Sequence, residues 1–187
     1  NLLPVTVTIH MALALVLVAL LQYVVTRPSG DLLAGKVEQD GKLNSLLLFV
    51  AVVTFIQILI GTQVREEVDH IAFAMSGLGR DTWVEQLSIE FYVHRSFSIF
   101  ILALNIFVAY KLYRLRVSHL SKLTTFMLIL IGAEVVIGIL MAYFAIPPFL
   151  QPLHLTIGVL LFGVQFQLII NYHYASTKAT FKTIAVS

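Results

Sequence analysis

The chain has 187 residues, of which 59% are hydrophobic and only 12% are charged, and its formal net charge is +2. A mean hydropathy of +0.93 excludes a soluble globular domain and predicts an all-α polytopic membrane protein, with no indication of nucleic-acid binding. The absence of cysteine excludes disulfides, thiolate metal sites and iron–sulfur clusters held by this chain alone.

Five apolar segments are each long enough to cross a bilayer as a helix, which requires about 20 residues. The predicted spans are 5–25, 43–64, 89–113, 123–144 and 150–172. The chain starts at Asn1 instead of Met, and no basic segment precedes the first span, so that span does not read as a signal peptide. We therefore expect the chain to be a piece of a longer protein.

Lysine and arginine in the connecting segments predict the orientation of the spans. The segments after spans one and three and the C-terminal tail are basic, whereas the loop after span two is rich in aspartate and glutamate. The N-terminus is therefore predicted outside and the C-terminus inside. Within the outer loop, residues 82–85 match a capping box and predict a short interfacial helix before span three.

A faint internal repeat relates span two to span four. Gln57-Ile-Leu-Ile-Gly61 and Glu134-Val-Val-Ile-Gly138 each consist of a polar residue, three aliphatic residues and a glycine. Each of these spans precedes one that carries a histidine, so two helix pairs related by a pseudo-twofold axis would form a four-helix bundle. Glu134 is costly near the middle of a span. We favour an interhelical hydrogen bond, with Gln57 as a candidate partner, over a role in proton transfer.

Three histidines lie at the same predicted depth, about one turn from the outer surface: His10, His94 and His154. Neutral imidazole is a good axial ligand for haem iron, which makes His94 and His154 candidate ligands, one in each half of the bundle. The residue four positions after each histidine is small, which leaves room for a flat macrocycle or simply lets helices pack closely. Three other roles for these histidines remain open: hydrogen-bonded residues of the core, a proton relay, and a metal site with three histidine ligands.

Two arginines lie near the same membrane surface. Arg95 follows His94 directly, and Arg65 stands at the outer end of span two. Both are candidates for pairing with haem propionates. Extension of the Arg95 side chain to the lipid headgroups is an equally good interpretation.

Four segments together resemble a known family. The sequences at 61–69 (Gly-Thr-Gln-Val-Arg-Glu-Glu-Val-Asp), 91–98 (Phe-Tyr-Val-His-Arg-Ser-Phe-Ser) and 151–155 (Gln-Pro-Leu-His-Leu) resemble the C-terminal half of haem A synthase. The sequence at 9–15 (Ile-His-Met-Ala-Leu-Ala-Leu) resembles the last helix of that family's N-terminal half. The likeness covers all five spans in order and is greatest to the bacterial members.

The resemblance implies a division of the chain and a set of ligands. Residues 43–174, with an outer loop at 65–88, would form a four-helix domain that holds haem b through His94 and His154. Residues 1–26 would belong to a preceding half that is mostly absent, and His10 would be a ligand of the substrate haem.

The resemblance also implies the reaction, in which an oxidoreductase converts a methyl group of haem O to the formyl group of haem A for cytochrome oxidase, with oxygen from water. The family's catalytic glutamate lies in the N-terminal half, so we expect this chain alone to bind haem b without being a competent synthase. Glu134 stands where many members carry glutamine, which leaves its role open. Implied partners are membrane lipid, haem O synthase or the missing half, and an electron acceptor, in a bacterial cytoplasmic or mitochondrial inner membrane.

Two other functions remain open. A membrane cytochrome b would transfer electrons without synthase activity, and a structural subunit or assembly factor of a respiratory complex would bind no haem. His10 argues against the cytochrome. A cytochrome holds each haem through a pair of histidines, whereas a substrate site divided between two halves leaves this chain with one additional histidine. The structural subunit predicts a colourless purified protein.

Overall fold

A computed structural model describes residues 3–26 and 35–177, and this part of the chain is all-α. Its five long helices are α1 (Leu3–Thr26), α2 (Gly41–Ala74), α3 (Ile89–Arg114), α4 (Ser118–Tyr143) and α5 (Leu150–Ser176). All five are long and apolar enough to cross a membrane. The predicted multi-pass architecture with five candidate spans is therefore confirmed.

Four of the helices form a square bundle. Each of α2, α3, α4 and α5 packs against its neighbours in the chain, and α5 closes the square by packing against α2. As a result α3 and α5 are diagonally opposite, as are α2 and α4. Helix α1 lies outside the square against α2 and α5, where Leu15 is fully buried beside Ala51, Ile58 and Phe162.

The apolar core is concentrated at the end of the bundle where α2 and α4 begin and α3 and α5 end. The largest fully buried apolar side chains of the bundle include Leu112, Leu120, Met127, Leu168 and Tyr172. Lipid tails are as apolar as these side chains, so the bundle gains stability here mainly through close packing. At the other end, the histidines of α3 and α5 are themselves only partly buried.

Helix α2 is longer than predicted. It continues to Ala74 instead of ending at residue 64, so the predicted outer loop at 65–88 begins only at residue 75. The extension is polar, and pairs four residues apart support it: Arg65 contacts Asp69 at 3.1 Å, and Glu66 contacts His70 at 3.3 Å. The predicted boundary marks the end of the hydrophobic residues, whereas the helix continues into the polar residues that follow.

The capping box predicted at 82–85 is wrong. The Thr82 hydroxyl donates to the carbonyl oxygen of Gly79 at 2.9 Å instead of capping a following helix. In place of one short α-helix, the segment forms two 3₁₀ turns, Arg80–Thr82 and Val84–Gln86.

Trp83 joins the two connections at the histidine end of the bundle. Its side chain is buried, and its indole N–H donates to the carbonyl oxygen of Leu78 at 2.9 Å. The Arg80 guanidinium lies 4.5 Å from the centre of the Trp83 ring and donates to the carbonyl oxygen of Ile146 at 2.8 Å. The α2–α3 and α4–α5 connections are thereby joined at the histidine end of the bundle.

Candidate functional site

His94 and His154 meet inside the bundle from its two diagonal helices, α3 and α5. Their ring centres are 6.3 Å apart, and the ring planes are inclined at 78°. Both side chains are partly buried. Within residues 3–26 and 35–177, the Nε2 atom of neither ring forms a hydrogen bond, so each keeps a nitrogen available for a ligand.

The separation of the two rings fits a shared iron. Two imidazoles that bind one iron from opposite sides place their ring centres about 6 Å apart, because each metal–nitrogen bond is about 2 Å and each nitrogen lies about 1 Å from its ring centre. The observed 6.3 Å agrees with this value. The described residues contain no group of three or more His, Cys, Asp or Glu that could hold a metal ion, so they do not form the alternative three-histidine site.

The two repeat glycines lie against the two histidines. A Cβ atom added to Gly61 on α2 would be 3.1 Å from Cε1 of His94, and one added to Gly138 on α4 would be 3.9 Å from Cε1 of His154. Gly61 leaves space that the His94 imidazole occupies, whereas a Cβ atom at Gly138 would be in ordinary van der Waals contact with the His154 ring. The repeat seen in the sequence thus corresponds to two equivalent positions of the bundle.

The two repeat polar residues contact the same histidines, but in different ways. Gln57 donates its Nε2–H to the backbone carbonyl oxygen of His94 at 2.9 Å. Oε2 of Glu134 lies 3.0 Å from Nδ1 of His154. Among the described residues no hydrogen bond joins Gln57 to Glu134, so the predicted partner of Glu134 was wrong although its contact is interhelical.

Gly158, one turn after His154, lies against this carboxyl group. A Cβ atom on Gly158 would lie 3.7 Å from Oε2 of Glu134 and 3.9 Å from a side-chain carbon of Ile58. The small residue predicted to leave space for a macrocycle therefore faces the Glu134 carboxyl group and Ile58. Both Glu134 and His154 are partly buried, with side-chain exposures of 15% and 23%.

A polar pair that we did not predict crosses the bundle on the core side of the histidines. Gln165 donates its Nε2–H to Oδ1 of Asn105 at 2.9 Å, and Asn105 donates to the carbonyl oxygen of Ile101 at 2.8 Å. Both side chains are buried. The sequence does contain a signal: Asn105 and Gln165 each lie three helical turns after His94 and His154, at the same face of the helix, about 16 Å further along the axis.

The two predicted arginines lie at the end of the bundle that carries the histidines. Arg65 pairs with Asp69 at 3.1 Å and donates a hydrogen bond to Gln151, which precedes His154 by three residues. The Arg95 guanidinium is exposed and forms no hydrogen bond or ion pair with any residue that the structure describes.

His10 is not brought together with the other two histidines. It is exposed on α1, outside the square of the bundle. Nearby, the hydroxyls of Thr8 and Thr62 are 3.0 Å apart, and Gln63 donates to Thr8 at 2.7 Å. These contacts attach α1 to α2 immediately after Gly61.

Comparison with known proteins gives one family. The COX15-CtaA family model, described as cytochrome oxidase assembly protein, matches residues 1–166. The match includes all of α1 to α4 and most of α5, with His10, His94 and His154. No curated protein and no solved structure matches the chain.

Proposed function

Because the chain belongs to the COX15-CtaA family of cytochrome oxidase assembly proteins, we propose that α2–α5 hold a haem b with His94 and His154 as its axial ligands. Membership implies a haem A synthase-related role in cytochrome oxidase assembly, in a family of oxidoreductases. The haem b domain proposed here comprises the four helices of the square.

One observation carries the proposal most directly. The two imidazoles face each other across the diagonal of the bundle with 6.3 Å between ring centres, which is the spacing that axial ligation of one iron requires. Gly61 supports it, because the absence of a Cβ atom there leaves space for the His94 imidazole within the bundle. When bound, haem b supplies one-electron transfer, and the protein contributes the ligands and their orientation.

We propose Arg65 and Arg95 as partners of the haem propionates. A guanidinium binds a carboxylate with two parallel hydrogen bonds, and both arginines lie at the end of the bundle that carries the histidines. The Arg65–Asp69 pair is about half exposed, so exchanging it for a propionate costs at most about 1 kcal/mol. Binding of a propionate by Arg95 breaks no existing ion pair, because no described residue pairs with its guanidinium.

We propose that α1 belongs to a preceding half of the protein and that His10 is a ligand of the substrate haem. The position of α1 outside the square, with His10 exposed, supports this assignment. The reaction would oxidise the methyl group of haem O to the formyl group of haem A, with electrons passing to a separate acceptor. Haem O synthase is the proposed source of the substrate.

A membrane cytochrome b could use the same histidine pair, so the geometry of His94 and His154 alone does not separate the two functions. Family membership favours the synthase. A structural subunit without haem would leave the paired imidazoles without a role.

The test is a reduced-minus-oxidised spectrum of the purified protein, combined with haem extraction to identify the macrocycle. We expect a low-spin b-type signal that His94→Ala or His154→Ala abolishes. His70→Ala is the matched control, because His70 is exposed on the polar extension of α2 and should leave the signal unchanged. An unaltered spectrum in either ligand variant would contradict the assignment, and a colourless protein that takes up no haem would favour the structural subunit.

A further inference from the structure

We propose that Glu134 is a positioning residue for His154, so that the two axial ligands of the bundle are chemically unequal. The inference rests on the proposed function, since it concerns how this chain holds one of the two haem ligands. It assigns a role to the Glu134 carboxyl group, which lies beside His154.

The contact between the two side chains is short and specific. Oε2 of Glu134 lies 3.0 Å from Nδ1 of His154, the nitrogen that remains when Nε2 binds iron. The geometry at Nδ1 of His154 is an ion-pair distance and not an aligned hydrogen bond, so in the proposed arrangement the Nδ1–H turns to donate to this carboxylate. Gly158 lies beside the carboxyl group, with 3.7 Å between Oε2 of Glu134 and an added Cβ.

The other histidine has no such partner. Nδ1 of His94 is buried and has no hydrogen-bond partner among the described residues. Gln57, which corresponds to Glu134 in the repeat, donates instead to the backbone carbonyl of His94. Gln57 therefore holds the α3 backbone, whereas Glu134 contacts the imidazole itself.

This difference has a defined consequence for a bound iron. A carboxylate that accepts the Nδ1–H of a ligating histidine fixes its tautomer and ring orientation and makes the ring a stronger electron donor. Stronger donation favours the oxidised iron, so Glu134 lowers the reduction potential of the haem. With only one of the two ligands so supported, His154 binds the iron more firmly than His94 does.

The experiment compares three variants with the unmodified protein at one fixed pH. Redox titration gives the midpoint potential, and electron paramagnetic resonance gives the ligand-field signature of the ferric haem. Glu134→Gln keeps the size and an acceptor oxygen but removes the charge that the carboxylate can carry, whereas Glu134→Ala removes the contact. Glu85→Gln is the matched control, because it makes the same substitution at an exposed carboxylate outside the four helices of the square.

We expect Glu134→Gln to retain haem with a higher midpoint potential. Glu134→Ala should shift the resonance signature and release haem about 10-fold faster or more, as loss of a partner behind a metal ligand does. Glu85→Gln should leave the potential unchanged. Haem retained in Glu134→Gln and Glu134→Ala with the potential and signature of the unmodified protein would overturn the inference alone. Failure of the unmodified protein to bind haem would overturn the proposed function and the inference together.

Discussion

The surroundings of His94 and His154 differ atom by atom, although the repeat gives the two residues equivalent places. Gly61 is in close contact with His94, since an added Cβ would be 3.1 Å from its ring. The same addition at Gly138 would stay at 3.9 Å from His154, an ordinary van der Waals distance. The helix beside His94 thus has no spare space, whereas the helix beside His154 has room for a methyl group.

This difference leads to a prediction for two matched substitutions. Gly61→Ala should displace the His94 ring, and overpacking of this kind costs about 1–3 kcal/mol. If that cost falls on the haem-bound state, haem should bind at least about 5-fold more weakly. Gly138→Ala should leave haem binding unchanged. Haem titration monitored by absorbance measures both, and equal affinities for the two variants would contradict the prediction.

At the scale of helices, buried polar pairs set which faces of α3 and α5 meet. In lipid, exchanging one apolar neighbour of a side chain for another changes the free energy little. Close packing and interhelical hydrogen bonds therefore determine the orientation of each helix. The Asn105–Gln165 bond joins the two diagonal helices three turns from the histidines. It therefore helps to hold both histidines towards the interior.

Replacing either member of this pair should destabilise the bundle. Asn105→Leu leaves the Gln165 amide without its acceptor, and interhelical hydrogen bonds in membranes are worth about 0.6 kcal/mol on average and about 1.7 at most. Replacing both partners by apolar residues removes the unsatisfied group as well, so Asn105→Leu with Gln165→Leu should cost less than the two single changes added together. Unfolding of the detergent-solubilised variants measures the coupling, and strictly additive losses would show that the bond has no energetic role.

At the scale of the whole molecule, charge predicts how the five helices are oriented in the membrane. The connection between α3 and α4 is basic, whereas the connection between α2 and α3 carries aspartate and glutamate. Basic connections stay on the cytoplasmic or matrix side. The histidine end of the bundle, which includes Trp83 and the polar extension of α2, is therefore predicted to face outward.

The orientation can be tested with single cysteines, because the natural chain has none. Ser76 lies in the α2–α3 connection and Ser118 at the start of α4, and both are exposed. In sealed vesicles with the outer face exposed, an impermeant maleimide should label Ser76→Cys directly and Ser118→Cys only after permeabilisation. The unmodified protein is the control for background. The reverse pattern would invert the predicted topology.

Local composition was sufficient to predict the five long apolar helices. Four short sequence motifs were sufficient to predict the family. A backbone in lipid must satisfy its own hydrogen bonds, so long apolar segments have to be helices wherever they occur in the bundle. The predicted resemblance to haem A synthase is confirmed by the family match over residues 1–166. His94 and His154 were predicted to be haem ligands, one in each half of the bundle; the structure places their ring centres 6.3 Å apart, and their role as ligands stays a prediction.

The arrangement of helices settled what each polar residue contacts. Gln57 and Glu134 were expected to pair with each other, yet each contacts the histidine of the following helix, because α2 and α4 lie on opposite corners of the square. The Asn105–Gln165 bond was missed because it joins α3 to α5, two helices that are not consecutive in the chain. Hydrophobic pattern constrains where a membrane helix begins and ends, whereas its rotation and its neighbours follow from packing between segments far apart in the chain.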